Sequence, residues 1–126
     1  MNKKRILFVD DEPALVRLSR RMIERLGYSV ESFDDPLEAL RAIREQPARF
    51  DALFADQTMP DMTGLALARE AMAIRPGLPV VLCTGYSDVD DEAVRNAGVR
   101  RLLIKPVDQA ALAEALADIL PLSRGR

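Results

Sequence analysis

No histidine occurs in the 126 residues, and there is a single cysteine, Cys83. The first absence excludes Ser-His-Asp and Cys-His catalysis, His-ligated zinc and any histidine phosphocarrier role for this chain. The second rules out a disulfide framework within one chain. Cys83 sits inside an apolar run, where a small buried core thiol is the expected role. Long hydrophobic runs are also missing, and nothing approaches a membrane span. The basic start Met1-Asn2-Lys3-Lys4-Arg5 is followed by only four apolar residues before Asp10, too short for a signal peptide. A cytoplasmic location is expected. Excess charge of one sign is lacking too: the net charge of -2 argues against nucleic acid or an anionic membrane as the main partner. With neither histidine nor a second thiol, only oxygen ligands remain for a metal. They select hard cations, Mg²⁺ first, with Mn²⁺ or Ca²⁺ as alternatives.

What is present is globular. Hydrophobic residues make up 48% and charged residues 30%, ordinary for one domain. A chain of this length buries roughly two thirds of its unfolded surface and needs no disulfide. Short apolar runs alternate with helical patterns. The strand candidates are Ile6–Val9, the alternating Tyr28–Phe33 nearer an edge, Phe50–Ala55, Val80–Cys83 and Arg101–Ile104. Between them lie helices from Pro13 to Leu26 (apolar face Ala14, Leu15, Leu18, Met22, Leu26) and from Pro36, capped by Asp35 and burying Leu37, Leu40 and Ile43. Gly64–Arg75, Asp90–Ala97 and Asp108–Leu120 follow, the last with Leu112, Leu116, Ile119 and Leu120 inward. This (βα)₅ rhythm predicts an α/β doubly wound parallel sheet covered by helices on both faces. One domain is expected over residues 1–121, with 122–126 as a frayed tail or the start of a linker.

Polar residues stand where the apolar runs stop: Asp10-Asp11, Asp56, Thr84 and Lys105. In a parallel sheet the carboxyl ends of the strands share one edge, where ligands bind. Three acids gathered there repel one another and resist desolvation, so the edge calls for a cation. Each placement alone has a plain explanation, since helix N-termini welcome acids and Asp is common in strand-to-helix loops. Four together at one sheet edge do not.

The motifs Val9-Asp10-Asp11-Glu12-Pro13, Asp56 with Met59-Pro60-Asp61-Met62-Thr63-Gly64, Thr84-Gly85 and Lys105-Pro106 appear in order. As a set, over nearly the whole length, the chain resembles the receiver domain of two-component response regulators. That resemblance implies a flavodoxin-like sheet of order 2-1-3-4-5 and Asp56 as the acceptor of a phosphoryl group. It implies that Asp11, Asp56 and the backbone carbonyl of Thr58 ligate Mg²⁺, with Asp10 helping through water. Lys105 and Thr84 would contact the phosphoryl oxygens, and Pro106 is a candidate cis proline. The family's switch aromatic, three residues before the lysine, is replaced here by Leu102. Tyr86 and Leu102 are candidate modulators. The implied donor is a histidine kinase or a histidine phosphotransfer domain, and an effector domain or homodimerisation would be further partners. The wording around Thr84 resembles receivers attached to hybrid sensor kinases. Arg17, Arg20, Arg21 and Arg25 are read as a solvated basic face. The chain is expected to be a self-phosphorylating acceptor, not a turnover enzyme.

Three rival readings fit the residues less well. A haloacid-dehalogenase-like phosphatase wants an Asp-x-Asp pattern at the first strand, which Asp10-Asp11-Glu12-Pro13 does not supply. A flavodoxin-type FMN binder wants Ser, Thr or Gly in its phosphate loop, where this chain has three acids. A pseudo-receiver that binds partners without phosphorylation would have an inert Asp56.

Overall fold

A computed structural model describes residues 3–85 and 91–120. Strands and helices alternate as β1 (Arg5–Val9), α1 (Pro13–Arg25), β2 (Ser29–Phe33), α2 (Pro36–Glu45), β3 (Ala52–Asp56), α3 (Gly64–Ile74), β4 (Val80–Thr84), α4 (Asp91–Ala97), β5 (Arg101–Ile104) and α5 (Gln109–Ile119). The five strands form one parallel sheet in the order β2-β1-β3-β4-β5. This is the flavodoxin-like arrangement, with the alternating strand at the edge.

Because side chains alternate across a strand, each central strand feeds two cores. Leu7, Leu53, Val80 and Leu82 point into one with α2, α3 and α4. Ile6, Phe54, Val81 and Leu103 point into the other with α1 and α5. Every residue of β3 and β4 is buried, as expected of strands covered on both faces.

Two helix faces differ from the expected ones. In α1, Ala14 and Leu18 are exposed, Leu18 to 55%, and the buried residue is Ile23, flanked by the half-buried Val16, Met22 and Leu26. Spacings of three and four draw two neighbouring apolar stripes on this helix, and the one carrying Ile23 meets the sheet. In α2, Leu37 is 49% exposed, while Pro36, Ala39, Leu40 and Ile43 are buried. The Asp35 carboxylate caps α2 by accepting from the amide of Leu37, as expected. In α5, Asp108 is the cap and not part of the helix, its side chain accepting from the amide of Ala111. Leu112, Leu116 and Ile119 are buried there, and Leu120 is half-buried. Tyr86, Asp90 and the tail from residue 121 lie outside the described residues.

Candidate functional site

Strand register brings the polar residues to one edge. Val9 pairs with Ala55, Asp56 with Cys83 and Thr84 with Ile104, so the ends of β1, β3, β4 and β5 are level. Asp10 follows β1, Asp56 and Thr84 end β3 and β4, and Lys105 follows β5. Their exposures are 2% for Asp10, 7% for Asp56 and 1% for Thr84, so the polar groups are taken out of water by design of the sheet edge.

One ammonium joins the two buried acids. Lys105 Nζ lies 2.9 Å from Asp56 Oδ1 and 3.2 Å from Asp10 Oδ2. The other Asp10 oxygen accepts from the amide of Glu12 at 3.0 Å. The amide of Lys105 donates to the carbonyl of Thr84 at 2.7 Å, and the Lys105–Pro106 peptide is cis. The resemblance assigned Lys105 to a phosphoryl oxygen. Its pairing with both Asp10 and Asp56 is a feature that sequence reasoning missed, because it depends on how β1, β3 and β5 converge.

Burial holds the Asp56 carboxyl above the usual range; the hydrogen bond from Lys105 opposes this, and the charges of Asp10 and Asp11 add to it. Burial pulls Lys105 down, but its hydrogen bond to Asp56 and the nearby charges of Asp10 and Asp56 outweigh that and hold the ammonium above its ordinary value. Burial also pushes the Cys83 thiol up to about 12, so it is an inert core group, as expected.

Asp10, Asp11 and Asp56 each present a carboxylate oxygen, all within 4.8 Å of one another. One ammonium against three carboxylates leaves an excess of negative charge. An all-oxygen donor set of that charge fits a hard divalent cation. Thr58 lies two residues beyond Asp56 in the segment between β3 and α3. Leu102 is half-buried and packs on the core shared with α3 and α4. The four arginines of α1 are exposed, and Arg20 is paired with Glu24 on the same helix.

The start of α3 is built against β3. A Cβ on Gly64 would fall 2.4 Å from the carbonyl oxygen of Asp56 and 2.9 Å from Leu82. Only glycine lets the helix come so close. Gly64→Ala is therefore expected to lower stability by about 1–3 kcal/mol through overpacking, measured by urea denaturation. A loss below about 0.5 kcal/mol, the usual scatter of surface substitutions, would contradict this close approach.

Residues 6–117 match the family model described as the response regulator receiver domain. The chain belongs to this family. The receiver is similar to the transcriptional regulatory protein GlrR of Escherichia coli (strain K12), 34% identical over 116 residues that cover 91% of this chain but 26% of GlrR. It is also similar to the response regulator receiver protein CpdR of Brucella abortus (strain 2308), 36% identical, covering 82% of this chain and 85% of CpdR. Among solved structures, the receiver domain of the hybrid histidine kinase CckA is 34% identical with a TM-score of 0.78, covering 92% of this chain and 98% of that one. As a receiver, the chain accepts a phosphoryl group in two-component signalling.

Proposed function

We propose that Asp56 is the phosphoryl acceptor, in a Mg²⁺-dependent transfer from the phosphohistidine of a histidine kinase or histidine phosphotransfer domain. The observation that carries this reading is the buried Asp56 carboxylate held by Lys105 at 2.9 Å within the three-acid group. A carboxylate oxygen of Asp56 attacks phosphorus in line. The new O–P bond forms as the donor's N–P bond breaks, and that electron pair leaves on the imidazole nitrogen. An ionised carboxylate needs no external base, so the site's work is positioning and charge neutralisation. Asp11, Asp56 and the Thr58 carbonyl would hold Mg²⁺ (or Mn²⁺), with Asp10 supporting, and the bound cation would neutralise charge on the transferring oxygens. Lys105 exchanges its contact with Asp56 for one with a phosphoryl oxygen, and Thr84 donates its hydroxyl to another. Pro106 fixes the turn that presents Lys105.

Leu102 stands where the family places its switch aromatic, a departure from the standard threonine–aromatic switch, and Tyr86 and Leu102 are the candidate modulators of the site. We read residues 1–121 as the receiver unit, followed by a tail or linker, acting in the cytoplasm as an acceptor and not as a turnover enzyme. An effector domain or a second copy would receive the signal. No helix among the described residues is long and apolar enough to cross a membrane.

The test is intact mass after incubation with acetyl phosphate and Mg²⁺. One added phosphoryl group is expected, absent in Asp56→Asn and with EDTA. No adduct, together with no response to beryllofluoride, would replace this reading with a phosphorylation-independent binding module.

A further inference from the structure

The segment from Gln57 to Gly64 starts at the acceptor and ends at the first residue of α3. Both ends are tied to one residue. The amide of Gln57 donates to the carbonyl of Cys83 at 2.8 Å, continuing the β3–β4 pairing one step past Asp56. Its carbonyl accepts from the amide of Gly64 at 3.0 Å. Its side-chain oxygen accepts from the amide of Leu65 at 2.8 Å.

A helix leaves its first amides without internal partners. In α3, the Thr63 hydroxyl takes Ala66 at 3.1 Å, and Gln57 takes both Gly64 and Leu65. A cap from a residue eight positions earlier is not local capping. It closes a ring: the strand that carries Asp56 and the helix that follows are clamped through one residue, whose backbone ties both ends and whose side chain adds the bond to Leu65. Inside the ring, Met59 is buried and fixes the floor, while Asp61 turns the chain with φ of 72°. Met62 donates its amide to the carbonyl of Pro60 at 2.8 Å. Thr58 directly follows Gln57 in that ring and is exposed, so its own side chain gives it little anchorage.

We infer that Gln57 is a positioning residue for the metal-dependent step: by clamping the 57–64 ring shut, it holds the Thr58 carbonyl in place relative to Asp56 and Asp11. This rests on the acceptor-site reading above. A plain helix cap would contribute only stability. A positioning clamp also sets metal affinity, because partners that orient a ligand typically change affinity by about 10–100-fold.

The variant is Gln57→Met, similar in volume and lacking the acceptor oxygen. Calorimetric titration with MgCl₂ well below the melting temperature is expected to show Kd raised about tenfold. With acetyl phosphate, the Mg²⁺ concentration for half-maximal rate should rise by the same factor, with most of the lost rate recovered at saturating Mg²⁺. A folded Gln57→Met with Mg²⁺ affinity within about twofold of native, inside the expected 10–100-fold effect, overturns the inference while leaving Asp56 as acceptor. Absence of any Mg²⁺ binding by the native chain overturns the acceptor-site reading and this inference together. If the variant does not fold, amide exchange in the native chain decides. Coupling is reciprocal, so a clamp that strengthens metal binding must itself be tightened by metal. Saturating Mg²⁺ should slow exchange of the Leu65 amide more than that of core amides such as Leu53. Equal slowing overturns the clamp.

Discussion

Lys105→Met should destabilise the metal-free protein by about 3–5 kcal/mol at neutral pH, the range for removing one partner of a buried ion pair. The ammonium touches both Asp10 and Asp56, whose side chains are 3% and 7% exposed. Methionine fills the space of the aliphatic stem but leaves two carboxylates facing each other out of water. They can escape only by binding a proton or a cation. The deficit should therefore shrink as pH falls and as Mg²⁺ is added, which separates it from a packing defect, whose cost follows neither. Phosphoryl acceptance should drop about 10²-fold or more, as when one preorganised charge donor is removed from a transition state. Urea denaturation at several pH values, with and without Mg²⁺, checks the first part, and intact mass against time checks the second. A deficit below about 1 kcal/mol, the value of an exposed pair, would mean that Lys105 is not compensating buried charge.

That double pairing marks the limit of what the chain reveals when read linearly. Apolar runs ending in Asp10, Asp56, Thr84 and Lys105 were enough to place all four at one sheet edge, because a parallel sheet aligns its strand ends. The partners of Lys105 were not legible, since three strands must first be set side by side. Helix faces failed for a different reason. Leu18 and Leu37 are apolar and correctly spaced, yet they are exposed, because periodicity alone does not choose between adjacent stripes. Ile23 and Ala39 were overlooked, the second because a small side chain gives a weak signal even where it lets a helix approach closely. Gln57 was invisible for a third reason. Its contacts run to backbone atoms, so no side-chain pattern elsewhere in the sequence announces them.

Mg²⁺ at a hundredfold excess over Kd should raise stability by about 2.7 kcal/mol through mass action, and the gain should appear only where the acids are ionised. The folded-state pKa of Asp56 is raised, chiefly by burial, above its ordinary value of 3.8. The native state therefore keeps a proton that the unfolded chain has lost. This contributes stability below the unfolded value, and it disappears as pH rises through the folded one. Metal-free stability should accordingly decline through that window, and the Mg²⁺ gain should grow through the same window as Asp56 loses its proton. Lys105 does not confuse the reading. Its stabilising contribution is full below its ordinary value of 10.5 and is lost only as pH rises through its raised folded value, far to the alkaline side. Asp11→Asn isolates the repulsion. Removing one of three carboxylates within 4.8 Å should raise the metal-free melting temperature by a few degrees and shrink the Mg²⁺ gain. Both arms come from one set of thermal scans across pH. A lower metal-free melting temperature in Asp11→Asn would mean that Asp11 is held by favourable contacts, and the three acids would then not be the strained, cation-seeking group that the acceptor reading requires.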